Sequence, residues 1–120
     1  MARVADYAII ADAWHVEGFD ATTINFEVPS NIDNGSRCVL GFMMKEDNLD
    51  DLTLRLKING TEVWNWSVSG GSDYPARFFQ EVVSAGVVKA GTNTFSFHTS
   101  SDDFRFTELS DVVLWFQANT

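Results

Sequence analysis

Cysteine occurs once, at Cys38, so no internal disulfide can form and the fold must rest on packing. Cys38 opens the apolar run Cys38-Val39-Leu40 and reads as a small buried hydrophobe. No flanking residue suggests an activated thiolate. Histidine is confined to His15 and His98, with no metal-ligand spacing. Basic residues are scarce: 8 Lys and Arg stand against 17 Asp and Glu, a formal net charge of -9. Such a surface repels phosphate backbones and anionic headgroups, which argues against nucleic acid and against membrane association. It suits a neutral ligand, a cation, a basic partner, or plain solubility. No apolar run approaches the length of a membrane helix. Met1-Ala2-Arg3-Val4 lacks the apolar core of a signal peptide, which reads as a cytoplasmic chain, one released by a non-standard route, or a mature form. No G-x-S-x-G elbow occurs, and no particular carboxylate pair stands out for glycoside cleavage, so a non-enzyme is expected.

What the chain does have is aromatic mass and alternation. Ten Phe and four Trp offer large buried areas, and 120 residues can close one core, so residues 1–120 read as a single domain. Leu52, Leu54, Leu56 and Ile58 share one parity while Thr53, Arg55 and Lys57 take the other, the period of a half-buried strand. Asn59-Gly60 follows, supplying the positive backbone angles of a tight hairpin turn, and a second strand runs on to Val68. Thr22 to Val28 and Thr92 to Thr99 alternate equally cleanly, with Ile24, Phe26, Val28, Phe95 and Phe97 inward. Arg37 to Met44 is apolar throughout, as for a central strand covered on both faces, and Val112 to Phe116 is apolar on both parities. Val4 to Ile10, with a short continuation Trp14 to Val16, and Phe104 to Phe106 complete the strands. Arg77 to Val83 reads as extended, with a single helical turn at its end as the alternative. About eight or nine short strands separated by turn residues predict an all-β fold, an antiparallel β-sandwich or barrel.

Two segments carry a resemblance. Ile58-Asn59-Gly60 is one. The other runs through Phe79-Gln80-Glu81-Val82-Val83 to Val88-Lys89-Ala90-Gly91-Thr92-Asn93-Thr94-Phe95. Together they are similar to the galactose-binding-domain-like jelly roll, above all to the sugar-binding domain of family 2 glycoside hydrolases, with Ala90 where those domains usually carry proline. The resemblance covers roughly Leu52 to Phe116. It implies a jelly-roll sandwich that often binds carbohydrate through end loops or a concave face, and it carries over no catalytic residue.

Sugar recognition needs a flat aromatic face flanked by polar side chains. The candidates are Tyr74 with Asp73 and Arg77 beside the Ser69-Gly70-Gly71-Ser72 loop, Trp14 with His15 near a turn, and Trp64. Trp64, Trp66 and Val68 share a parity and form either a stacking platform or a core face; the polar Asn65 and Ser67 between them favour core. His98 continues an outward parity and reads as a surface histidine. The acidic loop Lys45 to Asp51 offers Glu46, Asp47, Asn48, Asp50 and Asp51 as oxygen ligands for calcium, although its spacing is not that of an EF-hand and a solvated turn is the commoner outcome. The leading expectation is non-catalytic, lectin-like or module-like binding of a neutral carbohydrate, repeated in a homo-oligomer to raise avidity. The alternative is a structural or self-assembling subunit held by homotypic β-sandwich contacts. Co-facial exposed rings beside polar groups would favour a ligand; a broad apolar patch would favour a partner.

Overall fold

A computed structural model describes residues 2–16, 22–48, 52–68, 73–100 and 104–120. The side chains of 15–16, 46–48, 52, 68, 73–76 and 104–107 are outside that description. Eight strands follow one another: β1 (Arg3–Val16), β2 (Thr22–Val28), β3 (Cys38–Asn48), β4 (Leu52–Ile58), β5 (Thr61–Val68), β6 (Asp73–Val83), β7 (Gly91–Thr99) and β8 (Phe104–Asn119). They form two four-stranded antiparallel sheets, ordered β1-β8-β3-β6 and β2-β7-β4-β5. The first strand pairs with the last, the second with the seventh, the third with the sixth and the fourth with the fifth. One long hairpin, with its tip between β4 and β5, has wrapped so that β8 also meets β3 and β7 also meets β4. That wrapping of eight strands is the jelly roll.

The tip is the predicted turn. Asn59 (φ 51°) and Gly60 (φ 82°) both take positive angles, as a two-residue hairpin turn demands. Asn59 then ties the tip to the β6–β7 connection. Its Nδ2 donates to the Val87 carbonyl at 2.9 Å and to Asn93 Oδ1 at 2.8 Å, while its Oδ1 accepts the Thr94 N–H at 2.9 Å. Asn93 is fully buried, and all its capacity is used. Its Oδ1 also accepts the Lys89 N–H at 2.9 Å, and its Nδ2 donates to the carbonyls of Lys89 (2.8 Å) and Gly91 (3.1 Å). Gly91, at φ 88°, turns the chain into β7.

Between the sheets lie the inward parities. Leu40, Phe42 and Met44 come from β3, Leu54, Leu56 and Ile58 from β4, Phe95 and Phe97 from β7, and Leu109, Val112, Leu114 and Phe116 from β8. Cys38 is among them; burial pushes its thiol above the ordinary value, as fits an inert core residue.

Several boundaries differ from expectation. Phe104 to Phe106 and Asp111 to Gln117 are one strand, interrupted by a bulge where Asp111 takes φ 50° and the pairing with β3 shifts. Trp14 to Val16 likewise belongs to a continuous β1 that bulges between Ile9 and Ala11. A bulge lets an apolar stripe change parity without breaking the ladder, and parity alone therefore suggested a gap. Arg77 to Val83 is extended throughout, paired along β3, with no helical turn. Tyr74 and Pro75 lie inside β6 rather than closing a loop. The acidic loop is shorter than expected, because Lys45 to Asn48 continue β3, paired with β8 and, through Asp47, with Asp73 of β6. His98 is half-buried rather than exposed. Finally, the described residues cover β3 on one face only.

Candidate functional site

The uncovered face belongs to the sheet β1-β8-β3-β6. Its outward side chains align in rows across the ladder. Tyr7 faces Trp115, Trp115 faces Val39, and Val39 faces Val82. The next row is Ile9, Val113, Gly41 and Gln80, and beyond it Ser110, Met43 and Phe78. Tyr7, Ile9, Phe78 and Val82 are each more than half exposed, and Trp115 is 37% exposed. Gly41 forms the floor. A Cβ built there would lie 2.5 Å from Trp115 Cζ3 and 2.8 Å from Phe78 Cζ. The two rings therefore converge over bare backbone at the middle of the sheet, an approach open only to glycine.

A cleft of about 490 Å³ opens at one end of this face, lined by Gly35, Ser36, Arg37, Ser84, Ala85 and Gln117. Its walls are held by backbone bonds. The Asp33 N–H donates to the Gln117 carbonyl at 2.8 Å, and the Val87 N–H donates to the Ser84 carbonyl at 3.3 Å. Behind the wall Arg3 Nη1 donates to Asp33 Oδ2 at 2.7 Å and to Ser36 Oγ at 2.8 Å, and the Ser36 hydroxyl donates to Asp33 Oδ2 at 2.6 Å. The Ser36 hydrogen bond is the main influence holding the Asp33 carboxyl below its ordinary value; desolvation opposes it, and the Gly35 N–H and Arg3 add smaller lowering effects. Arg37 makes no hydrogen bond or ion pair among the described residues.

Of the candidates read from the sequence, Trp14, His15, Asp73, Tyr74 and Arg77 fall towards the opposite end of this sheet, and Trp64 belongs to the other sheet. Trp14 pairs with Leu109, Leu109 with Met44, and Met44 with Arg77. Trp14 and Arg77 thus share a row on opposite edges of the sheet, about 14 Å apart across three strand spacings. Trp14 turns inward against Phe95, with ring centroids 5.8 Å apart. Trp64 is 8% exposed and belongs to the core, edge-on to Phe42 at 5.0 Å and to Phe79 at 5.2 Å, so it offers no open stacking face. Arg77 instead lies over the half-buried Trp66, 4.7 Å from the ring centre, and closes the aromatic cluster between the β5 and β6 edges. Asp73 and Tyr74 start β6 and His15 is the last residue but one of β1, but their side chains lie outside those described. The same holds for the calcium candidates Glu46, Asp47 and Asn48, while Asp50 and Asp51 lie outside the described residues. Among the described residues no group of three or more His, Cys, Asp or Glu is placed to hold a metal.

Tyr7, Phe78, Trp115, Arg37 and Gln117 were not singled out from the sequence. The available signal was the double-parity apolar pattern of Arg37 to Met44 and Val112 to Phe116, which reported a face needing cover.

Fold and surfaces together define a jelly-roll β-sandwich module with one apolar outer face and a polar end cleft. No protein-family model matches the chain, and no curated protein does. Among solved structures it is similar to dimeric latent PorU from Porphyromonas gingivalis, with a TM-score of 0.73 and 10% identity over 98% of this chain and 13% of that one. It is similar to the β-porphyranase BpGH86A, of glycoside hydrolase family 86 from the human gut bacterium Bacteroides plebeius, with a TM-score of 0.61 and 17% identity over 98% of this chain and 21% of that one. A family 35 carbohydrate binding module from an environmental isolate superposes with a TM-score of 0.53 and 9% identity over 81% of this chain and 65% of that one. The chain spans only a small part of the first two proteins, and at these identities the likeness is one of fold.

Proposed function

We propose that this chain is a non-catalytic carbohydrate-recognition module, and that the sugar sits in the cleft beyond the end of the apolar sheet. The observation that carries the reading is the cleft itself. Its volume falls within the roughly 300–1,000 Å³ common for small-molecule sites. Arg37 and Gln117 present donors, and Gln117 and Ser84 present acceptors, which suits vicinal hydroxyls. The walls are pinned by backbone bonds, so little ordering is required on binding. The fold shared with a carbohydrate binding module and a porphyranase domain supports the same reading, as does the resemblance of Ile58–Gly60 and Val88–Phe95 to sugar-binding jelly rolls, although fold does not by itself dictate use.

The test is a glycan array with neutral oligosaccharides, repeated with Arg37→Ala and Gln117→Ala. Each should weaken binding by about tenfold or more, about 1.4 kcal/mol. Tyr74→Ala, at the opposite end, should leave it unchanged. Loss of binding in Tyr74→Ala with the cleft variants intact would move the site to the start of β6. A blank across neutral sugars would reject the reading. Bound oligosaccharide incubated with the protein should release no new reducing ends.

A further inference from the structure

We propose that Asn34 is a site of spontaneous covalent modification. Its side chain cyclises onto the Gly35 nitrogen and loses ammonia, so the protein accumulates aspartate and isoaspartate beside the cleft. The chain's other Asn-Gly pair, Asn59-Gly60, is held inert by the fold.

The dipeptide supplies the chemistry. The Gly35 amide nitrogen attacks Asn34 Cγ. An N–Cγ bond forms, the Cγ–Nδ2 bond breaks, and ammonia departs with the proton from the Gly35 nitrogen. A five-membered succinimide remains. Water then opens either of its two carbonyls, which leaves aspartate or isoaspartate at position 34. Nothing is oxidised or reduced, and water is the one co-reactant. Glycine favours the attack because no Cβ obstructs the approach to its nitrogen. In sequence the pairs at 34–35 and 59–60 are equivalent; the structure separates them.

Asn34 and Gly35 are both exposed. They are the central residues of a turn closed by the Ser36 N–H, which donates to the Asp33 carbonyl at 3.1 Å. The Asn34 side chain makes no hydrogen bond among the described residues. The Gly35 N–H donates to Asp33 Oδ1 at 3.4 Å, beyond the usual range of about 2.7–3.2 Å. The reacting groups can therefore meet with little to break.

Asn59 is the opposite case. Its Nδ2, the atom that would leave, donates to the Val87 carbonyl and to Asn93 Oδ1, and its Oδ1 accepts the Thr94 N–H. Its own N–H donates to the Thr94 carbonyl at 2.9 Å. Carrying Cγ onto the Gly60 nitrogen breaks the side-chain bonds together and takes a donor from the fully buried Asn93. Reaction there waits on local opening of the hairpin tip.

The product falls where it matters to the cleft, since Gly35 and Ser36 line it. Either form adds a carboxylate next to Asp33. Isoaspartate also adds a methylene to the main chain between Asp33 and Ser36, so the backbone and hydroxyl bonds joining those two residues must stretch or break. The conversion itself does not depend on what the cleft binds.

The experiment is peptide mapping by mass spectrometry, with isoaspartate detection, on the folded full chain held in mildly alkaline buffer below its melting temperature. Acid at position 34 should accumulate about tenfold or more faster than at position 59, the factor set by the bonds that Asn59 must break. In urea the two positions should convert at comparable rates, because only the fold distinguishes them. Gly35→Ala should slow conversion at Asn34 severalfold and leave Asn59 as it was. That variant keeps the fold, because Gly35 lacks the left-handed angles of Gly60, Gly86 and Gly91, and a Cβ there comes no closer than 3.7 Å to Asp33 Oδ1. Asn93→Ala, provided circular dichroism shows a folded sandwich, should speed conversion at Asn59. Equal conversion of the two positions in the folded chain would overturn the proposal. So would a difference that persists unchanged in urea, or a Gly35→Ala protein that converts at Asn34 as fast as wild type.

Discussion

The two sheets share one core and differ on their outer faces. The row Thr23, Ser96, Lys57 and Glu62 crosses the sheet β2-β7-β4-β5, while Tyr7, Trp115, Val39 and Val82 cross its partner. The first face continues with Asn25, Thr94, Arg55 and Asn65, and Arg55 pairs with Glu62 at 3.2 Å. This is the usual antiparallel arrangement, with one face in the core and the other in water. The second sheet carries apolar rows on its outer side as well, with Gln80 and Asp111 among them. Exposed hydrophobes scattered singly need no explanation, but aligned rows across four strands mark a surface that something covers. The difference separates the shared core that folds the domain from outer faces on which the two sheets diverge.

The largest expected effects fall where the sheets are alike. Leu40→Ala and Leu56→Ala, one inward residue from each sheet and both fully buried, should each cost about 3 kcal/mol in urea unfolding. A much smaller loss for Leu40 would show that the apolar sheet is only loosely packed on the core. Asn93→Ala comes next, at about 2 kcal/mol, because Lys89 and Gly91 lose buried partners and the hairpin tip loses its tie through Asn59.

Outward exchanges sharpen the contrast at smaller cost. Val82→Thr and Thr94→Val should each change monomer stability by no more than about 0.5 kcal/mol. Only Val82→Thr removes an apolar group from the exposed rows, so a change in the concentration dependence of the melting temperature in that variant alone would mark this face as one that takes a partner. Gly41→Ala should drive Trp115 and Phe78 apart and shift tryptophan emission without unfolding the domain.

The smallest effects are titrations, one near each face. Asp33 is held below 3.8, so its contribution is complete above that pH and is lost as pH falls through its lowered value. His98 lies below 6.5, chiefly through desolvation and then through Lys57 and Arg55, while its Nε2 sits 2.9 Å from Ser96 Oγ. Its contribution is complete above pH 6.5 and is lost on acidification below that value, since the unfolded chain then binds the proton first. Thermal melts across this range should show His98→Gln flattening the upper step and Asp33→Asn the lower one.

Much of the sandwich could be read along the chain. The Asn59-Gly60 turn, the inward stripe Leu54, Leu56 and Ile58, and the pair Phe95 and Phe97 each follow from a local rule. So does the core position of Trp64 beside the polar Asn65. The bulges at Ile9–Ala11 and Asp111 escaped, because a parity change looks the same as a break between strands. The polar cleft escaped as well: Arg37, Ser84 and Gln117 are unremarkable in sequence and meet only through the pairing of β3 with β8 and β6.

Alternation and turn chemistry by themselves determined that this chain makes strands, where most of them turn, and which side of each faces inward, because a pleated strand shows its period within a few residues. Tertiary structure alone decided that the first strand lies beside the last, that Tyr7 meets Trp115, and that Gly41 lies beneath two rings. Those neighbours are set by how the long hairpin wraps, and wrapping is chosen by the packing of the whole core rather than by any stretch within it.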